Sequence, residues 1–218
     1  MPDYGLGRRP APDERDKHHL MRAALAPLPL PILPPYRYYI PTGVLDQNGF
    51  PRCVGYAWHG WLRCTPLRTL LGPSADTIYQ EAQKVDEWEG EGYDGTSVRA
   101  GAKYLQAQGR VGEYLWAEED QTVRRWLATK GPVVLGTDWY TGMFSPGSDG
   151  VVRLTGQVEG GHAYLCIGYS DTRQAFRCIN SWGSGWGQKG RFWLTYAALA
   201  LLLQGGNGEA CGAVEIRP

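Results

Sequence analysis

Cys53 follows the stretch Asp46-Gln47-Asn48-Gly49-Phe50-Pro51-Arg52 and opens an apolar run that ends at Cys64. Gly and Pro make the approach a loop, and the run that follows has the length of a helix, with Val54, Ala57, Trp58, Trp61 and Leu62 on one broad stripe. Cys53 is therefore expected at a helix N-terminus. There, aligned peptide dipoles and unpaired amides favour an anion and lower a thiol's pKa, which makes the sulfur a nucleophile. Taken alone, a cysteine in such a run is more often a small core residue. A second candidate is His162, which opens the apolar segment Ala163-Tyr164-Leu165-Cys166-Ile167 after Gly160-Gly161. The glycines allow a close approach to its ring, although a lone histidine on an apolar strand commonly serves the core. A third is Asn180 in Asn180-Ser181-Trp182-Gly183-Ser184-Gly185-Trp186-Gly187. An Asn beside a Trp suits an imidazole, the amide as hydrogen-bond partner and the indole as a shield from water. On its own, an Asn in a glycine-rich turn is ordinary.

Together the three carry more than they do singly. Gln47 six residues before Cys53, then Gly161-His162, then Asn180-Ser181-Trp182-Gly183 running on to Gly185-Trp186-Gly187 resemble the papain family of cysteine peptidases, in that family's chain order. The resemblance covers residues 41 to 218. It implies that Cys53 is the nucleophile and His162 the base of a thiolate–imidazolium pair, with Asn180 orienting the imidazole. It further implies an oxyanion site made by the Gln47 amide and the Cys53 backbone N–H. Trp182 would cover the Asn–His contact. Substrate backbone would lie along Gly95, in Gly92-Tyr93-Asp94-Gly95-Thr96, and against Gly161. The reaction implied is endopeptidase hydrolysis of a polypeptide through a thioester. Two alternatives keep the same residues: a peptidoglycan-directed amidase, endopeptidase or transpeptidase, and a catalytically silent binding protein.

The chain departs from the family where Phe50-Pro51-Arg52-Cys53-Val54 replaces the usual Cys-Gly-Ser-Cys-Trp. The disulfide made by the first of those cysteines cannot form at Phe50. The separation of Cys53 and His162, 162 − 53 = 109 residues, is also shorter than the family's roughly 130, so trimmed loops and altered subsites are expected. Ahead of the body, Pro12-Asp13-Glu14-Arg15-Asp16 resembles an element of bacterial and phage members that carry a short leader.

The elements that must position these residues change character along the chain. Residues 1–40 form an arm, charged and then proline-rich, expected to run extended in polyproline II form and to dock on or near the cleft. Residues 41–130 read as a helical lobe carrying the nucleophile. After the Cys53 helix, Ser74 caps a helix with Ile78, Ala82 and Val85 inward, Thr96 caps one with Val98, Ala102 and Leu105 inward, and a fourth runs from about Glu119 to Lys130. Residues 131–218 read as a β-rich lobe with short runs at Val133–Leu135, Ala163–Ile167, Phe176–Ile179, Arg191–Leu194 and Ala213–Ile216. Helices first and strands second give an α+β fold. The resemblance makes it the papain-like two-lobe fold, with a helical lobe, a β-barrel-like lobe and the cleft between them.

Composition narrows the partners. The 22 basic and 22 acidic residues balance to a formal charge of zero, and this favours neither nucleic acid nor an anionic membrane. The greasy stretch from Ala23 to Pro35 is broken by prolines and follows charged residues, unlike an export signal or a membrane span. A cytoplasmic or phage-encoded protein is the expectation. Cys64, Cys166, Cys178 and Cys211 are expected to be inert core thiols with the Cys64–Cys211 pairing open, and no metal or organic cofactor is implied.

Overall fold

The computed structural model describes residues 4–26, 33–205 and 207–215. A seven-stranded sheet, antiparallel at each pairing, carries helices against it. Its strands are β1 (Tyr36–Tyr38), β2 (Val111–Trp116), β3 (Val133–Tyr140), β4 (Val158–Ser170), β5 (Ala175–Ile179), β6 (Arg191–Thr195) and β7 (Glu209–Glu215). Their order is β2-β7-β3-β4-β5-β6, with β1 added on β4. The helices are α1 (Met21–Leu25), α2 (Cys53–Leu62), α3 (Ala75–Gln83), α4 (Val98–Ala107), α5 (Asp120–Thr129) and α6 (Tyr196–Gln204). None of them is long and apolar enough to cross a membrane. The mixture is the α+β class expected from the sequence.

Helix α2 forms where the stripe predicts. Val54, Ala57, Trp58, Trp61 and Leu62 recur at helical spacing, and all are buried. Its inner face lies on β4, its flank on α3 and α4. The Trp58 indole N–H donates to the Val98 carbonyl at 2.9 Å, so burial of that ring leaves no orphan donor. The N-terminus of α2 is thereby fixed against the sheet.

Register fixes the other half of the site. In the β4–β5 pair, Leu165 faces Ile179, so the start of β4 lies beside the loop that follows β5. In the β3–β4 pair, His162 faces Thr137 and Ala163 faces Gly136. Residues 162 and 180, far apart in sequence, meet because the strands run antiparallel.

Several expectations change. Ser97 caps α4 by accepting from the Ala100 N–H at 3.0 Å, while the Thr96 hydroxyl donates to Asp86 at 2.6 Å. Thr96 is held away from the cap by that carboxylate. Ser74 does cap α3. Val85 lies beyond the end of α3 and is exposed, so it adds nothing to the inner face. Strand β2 and helix α5 precede residue 131 yet belong with the sheet, β2 as the partner of β7 and α5 packed on β4.

The arm is not uniformly extended. Residues Glu14–His18 form a 3₁₀ turn capped by Asp13, and α1 follows, burying Met21 and Leu25. The proline-rich residues 27–32 and the end of the last expected strand, Ile216, lie outside the described residues. All five cysteines are buried and free, Cys64 and Cys211 included.

Candidate active site

Cys53 is the first residue of α2 and is fully buried. Its Sγ accepts a hydrogen bond from the backbone N–H of Ala163 at 3.3 Å, the residue that follows His162. The imidazole is fully buried too. Its Nε2 lies 2.8 Å from Asn180 Oδ1, and that same oxygen accepts the Ser181 N–H at 2.8 Å. An amide oxygen only accepts, so Nε2 carries the ring proton and Nδ1 keeps its lone pair. Nδ1 is buried and makes no hydrogen bond. Cys53, His162 and Asn180 are thus gathered at one place, the residue types that nucleophilic acyl transfer would use.

Aromatic rings wall this bond off from water. Trp182 stacks on His162 at a centroid distance of 4.6 Å, and Trp139 meets the imidazole edge-on at 4.9 Å. Trp139 touches Trp182, Trp186 and Phe192 in turn.

Gln47 is also buried. Its Oε1 accepts from the Ser181 hydroxyl at 2.6 Å, which turns Nε2 towards the site. Nε2 donates to the carbonyl of Gly5 at 2.7 Å and to that of Phe50 at 2.5 Å. A peptide carbonyl of the arm therefore occupies the donor that the resemblance assigns to the oxyanion.

The arm continues along the groove. Tyr4 stacks on Trp182 at 4.6 Å. Gly7 and Arg8 both donate their N–H to the Gly161 carbonyl, at 3.1 and 3.0 Å. The Thr96 N–H donates to Gly7 O at 3.0 Å, and the Arg9 N–H donates to Thr96 O at the same distance. The Arg9 guanidinium lies over Trp88, 4.0 Å from the ring centroid. Further along, buried Arg99 bonds both carboxylate oxygens of Asp16 and, at 2.9 Å, the Ala11 carbonyl.

Of the two glycines read as substrate contacts, Gly161 offers its carbonyl to the arm, and a Cβ there would stand 2.1 Å from Arg8 O. Gly95 acts differently. Its own N–H is taken by the Tyr79 hydroxyl, its carbonyl by Gln83, and the backbone pairing falls to Thr96. Gly95 lines the groove by lacking a side chain: a Cβ would come within 2.4 Å of Gly7 O. The sequence reading missed Ser181 as the residue that sets the Gln47 amide, although it stands inside the Asn180-Ser181-Trp182 motif. No motif marks the buried ion pair between Arg8 and Glu209, which lies against Gly136. Among the described residues, no three His, Cys, Asp or Glu side chains gather as metal ligands would.

Burial sets the electrostatics. It pushes the Cys53 thiol up to about 11, against smaller opposing effects from the N–H groups of Ala163, Gly7 and Val54. It pulls the His162 imidazole down to about 4, only partly offset by Asn180. Both shifts favour the uncharged forms of the two groups.

Comparison with known proteins places this geometry. The family described as papain family cysteine protease matches residues 74–201, more than half of the chain; His162 and Asn180 fall inside that stretch and Cys53 outside it. The crystal structure of xylellain, a cysteine protease from Xylella fastidiosa, superimposes with a TM-score of 0.75 at 22% identity, over 99% of this chain and 97% of that one. The digestive procathepsin L2 proteinase of Tenebrio molitor larval midgut gives 0.70 at 20% identity, over 98% of this chain and 79% of that one. An uncharacterized peptidase C1-like protein of Acanthamoeba polyphaga mimivirus is 31% identical over 83 residues. That match takes in 36% of this chain and 27%, about a quarter, of the viral protein. The fold is papain-like, and the chain belongs to the papain family of cysteine proteases.

Proposed function

We propose that the chain is a cysteine endopeptidase in which Cys53 attacks, His162 moves the proton, Asn180 orients His162 and Gln47 stabilises the oxyanion. Residues 4–9 would act as its own inhibitory segment. The observation that carries this reading is a peptide carbonyl, that of Gly5, resting 2.7 Å from Gln47 Nε2 beside the buried Cys53. A groove that takes peptide backbone at the nucleophile suits polypeptide as substrate.

With the arm displaced, the groove beside Cys53 opens to water and the desolvation that disfavours the thiolate is lessened. The α2 N-terminus then favours a thiolate at Cys53, and the Nδ1 lone pair of His162 takes the thiol proton. Thiolate attack on a carbonyl carbon forms the C–S bond and drives the carbonyl electrons onto oxygen, towards Gln47 Nε2 and the Cys53 N–H. Collapse expels the amine, to which His162 returns the proton, leaving a thioester. Water, deprotonated by His162, releases the acid and the free thiol.

The arm's direction accounts for its survival in the cleft. The leaving amine must lie near His162, hence on the side of Trp182, where Tyr4 sits. The acyl half of a substrate then lies towards Thr96, where Arg9 sits. A substrate enters with its N-terminal half on the acyl side, whereas the arm runs the other way and presents its peptide bonds reversed. Two of the similar structures are procathepsins, and the leader's Pro12–Asp16 element, through Asp16 and Arg99, would hold this segment in place.

The test is casein hydrolysis by the intact chain, by Gly7→Ala and by Gly7→Ala/Cys53→Ala, with purified cell wall as a second substrate. A Cβ on Gly7 would stand 2.0 Å from Pro51 O, so this substitution unseats the arm without touching the body. Cys53-dependent casein turnover that rises in Gly7→Ala supports the reading. Turnover of cell wall alone, or none in any form, overturns it.

A further inference from the structure

A cavity of about 200 Å³ lies behind the catalytic groups, and Asn180 and Ser181 form part of its wall. Residues 4–9 line none of it. Its floor is Leu165 of β4 and Ile179 of β5, opposed across the strands and buried. Helix α2 roofs it with Ala57 and Gly60, one turn apart on a single face. Val44 and Leu45 close the side, and the mouth lies at Thr42 and Gly43, both exposed.

The cavity is built to stay open. Leu45 O accepts the Gly183 N–H at 3.0 Å and Ser181 O accepts the Gln47 N–H at 2.9 Å, so the wall of Val44 and Leu45 cannot settle inward. Gly60 withholds a side chain. A Cβ there would stand 3.6 Å from a methyl of Leu165 and 3.9 Å from one of Leu45, at ordinary contact distance. Lining atoms that face a void lose their dispersion partners, and an apolar body of matching size restores them. Because a cavity of about 150 Å³ holds a benzene ring, this one has room for a ring and a short chain.

Charge selects what enters. Among the described residues, those lining the cavity include one cation, Arg63, and no acid. Arg63 Nε donates to the Thr42 hydroxyl at 3.0 Å, which sets the guanidinium at the mouth. Among the described residues it forms no ion pair. Its terminal nitrogens suit a planar carboxylate, which a guanidinium binds through two parallel bonds. A ligand with an amine end would meet the same guanidinium and be repelled.

We infer that this cavity binds a small apolar carboxylic acid, its ring or chain between Leu45, Leu165 and Ile179 and its carboxylate on Arg63. This binding does not depend on the peptidase reading, since no catalytic step uses the cavity. Asn180 and Ser181 belong to the wall, so an occupant touches the residues that hold His162 and Gln47.

The test is a ligand-observed NMR titration of the intact chain with phenylpropionate, phenylpropanol and phenylpropylamine, which share one body and differ at its end. The acid is expected to bind with a Kd of about 1 mM or below, the amine at least about tenfold more weakly, and the alcohol between them. Arg63→Gln should erase the difference between acid and amine while the alcohol binds as before. Gly60→Leu, which fills the space from α2, should abolish binding of all three. If Gly60→Leu does not fold, Leu45→Trp fills the cavity from the side wall instead. Equal binding of acid and amine by the intact chain overturns the inference, as does acid binding that survives the filled cavity. Absence of acid binding at several millimolar overturns it too.

Discussion

The side-chain amide of Gln47 donates to the carbonyl of Gly5 at 2.7 Å, a contact between residues that lie 42 apart in the sequence. The same amide is held from behind by Ser181. Removing its donor while leaving the fold intact tests what it is for. In the Gly7→Ala background, Gln47→Ala should lower kcat about 10²–10³-fold with little change in KM, measured on a fluorogenic peptide. A change in KM alone would assign Gln47 to ground-state binding.

The bond between His162 and Asn180 fixes both ring orientation and tautomer. Asn180→Ala should cost about 10²-fold in kcat, since a misplaced base loses its alignment with the thiol. Trp182→Ala should act in the same direction through the same bond, because it opens the Asn180–His162 contact to water. Unaltered turnover in Asn180→Ala would remove Asn180 from the mechanism.

Alkali should loosen the arm. With the arm docked, burial pushes the Cys53 thiol up to about 11, so its proton is held far into the alkaline range. In the open form that same proton sits on His162 as imidazolium, so both forms hold equal numbers of protons from about pH 5 to neutrality and docking is level there. Once the open pair gives its proton up, docking weakens with rising pH, by up to about tenfold per pH unit. Hydrogen-exchange protection of the Gly7 and Arg8 amides, both bonded to Gly161 O, should be level on the acid side of neutrality and fall on the alkaline side, after correction for the intrinsic rate. Protection that falls on mild acidification would contradict the ion pair.

Two parts of the arm do different work. Residues 4–9 fill the groove, whereas Leu20, Met21 and Leu25 belong to the core. Deleting residues 1–10 should leave the melting temperature close to that of the intact chain. Deleting residues 1–26 should unfold the protein or lower its stability sharply, since each buried Leu or Met is worth about 2–5 kcal/mol. Equal stability of the two deletions would show that α1 is dispensable.

The seat of the nucleophile depends on one close approach. A Cβ on Gly55 of α2 would stand 2.3 Å from the Ala75 carbonyl of α3. Gly55→Ala should destabilise the fold by about 1–3 kcal/mol in urea titration, by prising these helices apart. A neutral effect would mean that the α2–α3 contact is loose.

Much of the site was legible because its chemistry sits at the ends of regular elements. The Cys53 run has helical spacing, and Asn180-Ser181-Trp182-Gly183 falls between two clear strands. Local pattern failed where a distant partner decides. Thr96 and Ser97 are both good caps, and Asp86 draws Thr96 away. Helix α6 is apolar along much of its length, so it lacks the two-faced pattern that marks a surface helix. Strand β2 is revealed as sheet only by β7, about a hundred residues later. The proline content of the arm hid the short α1, whose Met21 and Leu25 find their pockets only in the folded body. Glu209 is an ordinary acid in the sequence, and its ion pair with Arg8 appears only once β7 is laid beside the arm.

The most direct test of an assembled but arm-silenced Cys53–His162 pair is the pH dependence of iodoacetamide labelling at Cys53. The intact chain, Gly7→Ala and Gly7→Ala/His162→Ala would be compared from pH 5 to pH 9. With the thiol pushed up to about 11, the intact chain should label slowly at neutral pH. Gly7→Ala should label fast down to about pH 5, and adding His162→Ala should return it to a profile rising near an ordinary thiol pKa of ~8.5. If all three rise together only near pH 8, Cys53 and His162 form no ion pair and the account fails.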